Sequence, residues 1–319
     1  MLNFYIIRSD FLIFKGNDRL DLIHRLSTND VNSLPKYGVR KTILTSDKGR
    51  IIDVLTLYNF GDFVLAACSP GNSASVINHL DKYIIMDDFK VENMLGTHGI
   101  ILFHGEDIDR YVQEVTGLDF NTLTTEDFKI LQSDGRDSII HRYDDAFDGL
   151  IFIYSLEDEK YYFNKLFDEK LVEKYAVRET DEKEYETKRI LSGIPKFANE
   201  LNEQTNPLEC GLENLVSFTK GCYIGQEVIS RLDTYDKVSK HMIGIKFNDK
   251  LNGSLALQPK ITLDGIECGF VSSYTYSENY GGIGLAFVRT PFLDYSKNYQ
   301  IKLNELLINC KIIKLPFVN

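Results

Sequence analysis

Lys220-Gly221-Cys222-Tyr223-Ile224-Gly225-Gln226-Glu227 places a thiol between a cation and a tyrosine and fences it with two glycines. Val228, Ile229 and Leu232 follow at the spacing of one apolar side of a short helix, which puts Cys222 on the tight loop just before that helix. The positive end of the helix dipole and the charge of Lys220 both favour a thiolate there. Glu227 either caps its own helix or touches a ligand, and Gln226 either fixes the loop or does the same. The opposing reading for Cys222 is a buried structural thiol, the common fate of a free cysteine. From Lys220 to Lys246 there are five Lys/Arg against three Asp/Glu, a locally positive segment in a chain of net charge −11.

That net charge excludes a general nucleic-acid coat, because phosphate neutralisation needs a basic face. With 319 residues, 43% hydrophobic and 26% charged, the chain is an ordinary globular one of two or three domains. No apolar run approaches a spanning helix, and Met1 to Arg8 lacks the basic lead and long apolar core of a signal peptide. Cys68, Cys210, Cys222, Cys268 and Cys310 are scattered singly, which reads as free thiols in a reducing compartment. The six histidines sit at no metal-ligand spacing. The expectation is therefore a protein without a metal cage, membrane span or stable nucleic-acid contact, cytoplasmic or, in a eukaryote, in an organellar matrix.

The elements that must position the motif can be read in order. Phe11–Phe14 is a strand, and Arg19 to Leu26 a helix capped by Asn17 or Asp18. Val39–Thr45 and Ile51–Tyr58 form a hairpin across Ser46-Asp47-Lys48-Gly49-Arg50. Phe63–Cys68 is a strand, and Val76, Ile77 and Leu80 mark a helix after Ser69 and Pro70. The order then repeats: Ile100–Phe103, a helix with Tyr111, Val112 and Val115 inward, strands at 128–132, 138–142 and 150–154, and a helix over 158–175. Phe14-Lys15-Gly16-Asn17-Asp18 and Phe103-His104-Gly105-Glu106-Asp107 open both copies alike. This predicts a duplicated α+β body of ferredoxin-like type, with interleaved repeats over about 1–95 and 96–192. Glu179 to Leu191 reads as a solvated helix. Residues 193–217 form a long loop, a kind that is usually functional when ordered. Six strands after Lys240 predict a small antiparallel barrel or sandwich, taken as a β-barrel over 241–319, with the body occupying 1–240.

The octapeptide resembles the K-G-C-[FY]-x-G-Q-E signature of the YgfZ family, folate-binding relatives of the aminomethyltransferase (T-protein) of glycine cleavage. Arg231 falls where that family has its following arginine. Arg189-Ile190-Leu191-Ser192-Gly193-Ile194-Pro195 resembles its R-x-x-x-G-x-P approach, and Asp47-Lys48-Gly49-Arg50 its turn. The resemblance spans the chain and implies a three-lobed T-protein-like fold around a central channel holding tetrahydrofolate or a one-carbon derivative. It implies support of iron–sulfur cluster assembly or repair, with assembly factors or client enzymes as partners, one of them acting on tRNA. On that reading Cys222 is the chemically active residue, with Lys220, Gly221, Tyr223, Gly225, Gln226 and Glu227 as its motif. A lone cysteine cannot hold a cluster, since four ligands are the norm. Lys220, Arg231 and Arg189 are candidates for folate carboxylates, and Asp53 for the pterin or amine, each against an ordinary structural or surface role.

Departures from the transferase branch are visible too. Gly49-Arg50-Ile51-Ile52-Asp53-Val54-Leu55-Thr56 keeps one aspartate of the transferases' pair, with Val54 in the other place. Ile151 stands where they carry a folate-ring glutamate, and Cys68 where they carry an asparagine. The expectation is a folate-binding accessory protein, with a folate-dependent aminomethyl or methyl transferase as the alternative.

Overall fold

The protein is described here by a computed structural model covering residues 1–145, 147–247, 258–303 and 306–317. The chain divides into two compact units: Met1–Thr45, Ile52–Asp181 and Leu215–Ile224 form the first, and Ser46–Ile51, Glu182–Asn214 and Gly225–Asn319 the second. Among the described residues no helix is long and apolar enough to cross a membrane.

In the first unit the order is β1 (Leu2–Ile7), β2 (Asp10–Lys15), α1 (Arg19–Leu26), β3 (Val39–Thr45), β4 (Ile51–Asn59), β5 (Val64–Cys68), α2 (Ser73–Asp81) and β6 (Lys90–Asn93). There follow β7 (His98–Gly105), α3 (Ile108–Thr116), β8 (Lys129–Ser133), β9 (Arg136–Tyr143), β10 (Gly149–Ser155), α4 (Glu159–Leu166), α5 (Glu169–Tyr175) and β11 (Arg178–Glu179). One sheet runs β3-β4-β5-β2-β6 and the other β8-β9-β10-β7-β1-β11. Apart from β11, which the first sheet lacks, these are the same arrangement, with β1 beside β7 where β6 lies beside β2, both antiparallel.

The repeated glycines show why. Gly16 (φ +99°) and Gly105 (φ +132°) leave their strands in a conformation that glycine alone adopts readily. A Cβ on Gly16 would stand 1.9 Å from the Asp88 carbonyl oxygen before β6, and one on Gly105 2.5 Å from the Met1 carbonyl oxygen before β1. The amino-terminal strand β1 thus lies in the sheet of the second half.

One face of each sheet shares a core with helices. Leu22, Ile23 and Leu26 of α1 and Val76 and Leu80 of α2 share one core, and Tyr111 and Val112 of α3 with Tyr162 and Leu166 of α4 share the other. The single helix expected over 158–175 is two, because the Asp168 carboxylate accepts from the Lys170 amide (3.0 Å) and starts a new helix. The halves meet where the Val39 amide donates to the Glu126 carbonyl (2.6 Å) and the Phe128 amide to that of Tyr37 (2.9 Å). Tyr58 and His141 add a buried link: His141 Nδ1 faces the Arg142 carbonyl (2.8 Å), so Nε2 accepts from the Tyr58 hydroxyl (3.0 Å).

The second unit holds α6 (Glu182–Ser192), α7 (Gln226–Thr234) and six strands: β12 (Lys240–Phe247), β13 (Lys260–Leu263), β14 (Ile266–Ser277), β15 (Gly281–Arg289), β16 (Tyr299–Leu303) and β17 (Leu306–Ile313). They close into a barrel in the order β12-β15-β14-β13-β16-β17. Residues 248–257, 304–305 and 318–319 of the expected barrel range lie outside the described residues. The last turn of α6 is not solvated as its charge pattern suggests. Ile190 and Leu191 pack with Ile283 and Leu285 of β15.

Candidate functional site

Helix α1 ends without a glycine cap: Ser27 follows it in extended conformation, φ −134°. Its open carbonyls are instead closed by residues 217–224. Lys220 Nζ donates to the carbonyls of His24 (2.6 Å), Ser27 (2.7 Å) and Asn29 (2.7 Å). The Ile224 amide donates to the Arg25 carbonyl (2.9 Å), and the Ser217 amide to that of Thr28 (2.9 Å). Thr45 Oγ1 in turn donates to the Ile224 carbonyl (2.8 Å). A cation at a helix carboxyl end is the favourable sign for the dipole. Burial pulls the Lys220 pKa down to about 8, which leaves it an ammonium with three protons for three acceptors at neutral pH.

The protons of Lys220 hold the loop down, rather than being offered to a thiolate or a folate carboxylate. The ammonium also stands 4.9 Å from the centre of the Tyr223 ring. Between the anchored Lys220 and Ile224, Cys222 is exposed, whereas Cys68, Cys210, Cys268 and Cys310 are buried. Burial pushes Cys210 and Cys310 up to about 12 and Cys68 higher still, so those thiols are inert at neutral pH. Tyr223 is 7% exposed, and its hydroxyl is buried with no hydrogen-bond partner among the described residues. Such a group needs an explanation, and a ligand is one.

In the second unit Gly225 (φ +80°) starts α7, and no side chain caps that helix. A Cβ on Gly225 would lie 2.5 Å from the Ser46 carbonyl oxygen and 2.9 Å from the Gly49 Cα. The Asp47–Arg50 turn and the octapeptide, two separate landmarks in the sequence, meet at this glycine pair. Of the apolar stripe expected on α7, Ile229 is buried, Leu232 is half-buried and Val228 is exposed. Glu227 and Arg231 are exposed and Gln226 half-buried.

Asp53 and Arg189 belong to closed networks. Asp53 is 0% exposed. Its Oδ1 accepts from the Val54 amide (2.8 Å) and Ser69 Oγ (2.6 Å), its Oδ2 from the Ser69 amide (3.0 Å) and Asn72 Nδ2 (3.0 Å). Burial raises its pKa, outweighing the opposite pull of Ser69 and Asn72. Arg189, 3% exposed, donates to Glu186 (2.8 Å), Ser273 Oγ (2.8 Å), the Ile194 carbonyl (2.6 Å) and Glu200 (3.4 Å). Neither offers the open ligand contact anticipated for it. Among the described residues, Asp53 shares no hydrogen-bond network with Lys220, nor Arg189 with Arg231.

Sequence reasoning missed Glu200 and Glu209, both buried. Glu209 accepts from Ser239 Oγ (2.8 Å), the Asn206 amide (3.2 Å) and Arg50 of the turn (3.4 Å). The available signal was the loop over 193–217, whose length demands buried polar anchors. His24 was missed as well: burial first, then Lys220, lower its pKa. Among the described residues no three His, Cys, Asp or Glu side chains stand together as a metal site.

Comparison with known proteins places these features in a wider set. A family model described as the GCVT N-terminal domain matches residues 10–220, and one described as the glycine cleavage T-protein C-terminal barrel domain matches residues 240–319. A chloroplastic protein of Arabidopsis thaliana, provisionally named a transferase, is 30% identical over an alignment of 292 positions that covers 86% of this chain; the chain spans 62% of that protein's length. An aminomethyltransferase of Aquifex aeolicus is 27% identical, with 92% of this chain and 77% of that protein covered. One of Staphylococcus carnosus is 24% identical, with 95% and 83% covered. The crystal structure of glycine cleavage system aminomethyltransferase T from Bartonella henselae has the same fold: TM-score 0.84 at 16% identity, covering 99% of this chain and 86% of that one.

Proposed function

Since the chain belongs to the glycine cleavage T-protein family, we propose that it is an aminomethyltransferase-like, tetrahydrofolate-binding protein whose working group is the exposed Cys222, not a complete transfer centre. The observation that carries this is the direction of β4. Asp53, the one acid on the strand, faces the core with both oxygens occupied by four donors. Its neighbour on the opposite, half-open face is Val54. A group that passes protons to or from a bound amine must reach it, and the residue turned that way is apolar.

The residues present fit a folate in one respect that can be checked, the orphaned Tyr223 hydroxyl. Tyr223 would hydrogen-bond the folate. Lys220 would hold the loop that presents it. Bound folate would supply a one-carbon carrier. Cys222 would act on client proteins as a transient thiolate ligand in iron–sulfur cluster assembly or repair, the other ligands coming from the client. Tetrahydrofolate titrated into the protein should bind saturably and more weakly to Tyr223→Phe; absence of saturable binding would remove the folate from the account. Cys222→Ser should keep the fold and folate affinity yet fail to support cluster-dependent enzymes in cells. Unchanged client activity would refute the accessory role.

The second reading, aminomethyl transfer itself, is favoured by the names of the curated relatives. Formation of methylene-tetrahydrofolate from an aminomethyl donor, abolished by Asp53→Asn, would establish it in place of the first.

A further inference from the structure

On the barrel, Lys246 of β12 and Lys311 of β17 are register partners in an antiparallel ladder, so both side chains leave the same side of the sheet. Like charges directly opposite each other destabilise such a pair. Opposed cations also occur at Lys240 and Arg289 of the barrel, at Lys15 and Lys90 of the first unit, and at Lys260 of β13 and Lys302 of β16. At the last of these Glu267 compensates the repulsion with an ion pair 3.0 Å from Lys260. Lys246 and Lys311 have no ion-pair partner among the described residues, in a chain whose acids outnumber its bases by 47 to 36.

These two lysines line a cleft of about 430 Å³ together with Asn298, Asn309 and Ile313. That volume is on the scale of small-molecule sites. Gln300 Nε2 donates to Asn309 Oδ1 (3.2 Å), which leaves the Asn309 amide nitrogen as a donor. Two ammonium groups and two amide side chains set a demand for negative charge, and the isoleucine adds an apolar contact.

We propose that this cleft binds a small organic anion, with Lys246 and Lys311 on its charged group, Asn298 and Asn309 donating to its oxygens, and Ile313 against its carbon skeleton. A carboxylate and a phosphoryl group satisfy these donors equally, because lysine is a point charge without the planar fork of arginine. The site uses no residue of the octapeptide and stands whether or not the chain binds folate. Around it the chain's net negative charge repels anions, so the bare lysine pair is what admits one.

Calorimetric titration of the full chain at low salt, with citrate, adenosine monophosphate and inorganic phosphate in separate runs, tests the assignment. Saturable binding of citrate or the nucleotide is expected, weakened about tenfold or more in Lys246→Ala/Lys311→Ala, the range for losing charge-assisted hydrogen bonds. It should be unchanged in Lys260→Ala/Lys302→Ala. Preference for the nucleotide identifies a phosphoryl ligand, and preference for citrate a carboxylate. All four positions are exposed, and thermal melts confirm that the variants fold. Binding that survives the first double substitution overturns the proposal, as does binding of inorganic phosphate alone. So does absence of binding accompanied by a higher melting temperature in Lys311→Ala, the signature of plain repulsion relieved.

Discussion

Helices α1 and α3 occupy the same place in the two halves of the first unit, and they end in different ways. Helix α3 stops on its own Gly117, left-handed at φ +74°, whose amide donates back to the Gln113 carbonyl (2.9 Å). Helix α1 has Ser-Thr-Asn after it and no glycine. Its last carbonyls wait for Lys220, Ile224 and Ser217, nearly two hundred positions downstream. The self-capped helix needs nothing more and gathers no chemistry. The uncapped one recruits a distant segment, and that segment carries the only exposed cysteine of the five. The candidate site was thus built where the duplicated unit left a helix end open.

The largest effect should follow from removing the borrowed cap. Lys220→Met leaves three carbonyls without their donor. Charge-assisted bonds contribute roughly 1.5–3 kcal/mol each, discounted here because water reaches part of the side chain, so urea unfolding should show a loss of about 4 kcal/mol. Iodoacetamide should also label Cys222 at a changed rate as the loop lifts. Lys220→Arg should recover only part of the loss, since a planar fork does not match three converging acceptors. A loss under about 1 kcal/mol would mean that water serves α1 as well as lysine does, and the contrast between the helix ends would collapse.

Much of this frame was legible beforehand. The apolar spacing of α1 gives its bounds, although the Asp18 side chain accepts from the Asp88 amide and does not cap it, and the switch to alternating short strands after Lys240 gives the barrel. The octapeptide showed a loop running into a helix. The destination of Lys220 was not legible, because a cation in a motif says nothing about which acceptor it meets. Asp53 was readable in principle: Ile51, Asp53, Leu55 and Leu57 share one parity on β4, and a strand turns one parity to the core. The same inspection of Arg189 would have noted Ile190 and Leu191 beside it. Strands β1 and β6 escaped because short strands draw their stability from partners far along the chain, which local pattern does not reveal.

The joint between the halves offers a second, smaller test. Burial holds the His141 pKa at about 4, far below the ordinary 6.5. Between those values the unfolded chain binds a proton at this position and the folded chain does not, so stability is full above pH 6.5 and falls as pH drops towards 4. A gap of that size corresponds to roughly 3 kcal/mol. His141→Gln keeps an acceptor for the Tyr58 hydroxyl and removes the titration. Urea unfolding at stepped pH should show the wild type losing roughly 3 kcal/mol more than the variant across this window. Parallel pH curves for the two proteins would show that the halves are not coupled through this pair.

The smallest effect belongs to the self-capped helix. Nothing lies within 4 Å of a Cβ placed on Gly117, so Gly117→Ala meets no clash and incurs only the strain of a left-handed alanine, about 1 kcal/mol. Because α3 closes its own carbonyls, this loss should appear in global unfolding without altering Cys222 labelling or folate affinity. Lys220→Met should shift all three. If Gly117→Ala destabilised the protein as much as Lys220→Met, the end of α3 would be holding more than itself. If it changed the reactivity of Cys222, the two halves would be transmitting strain to one another, and the independence of the two helix ends would have to be abandoned.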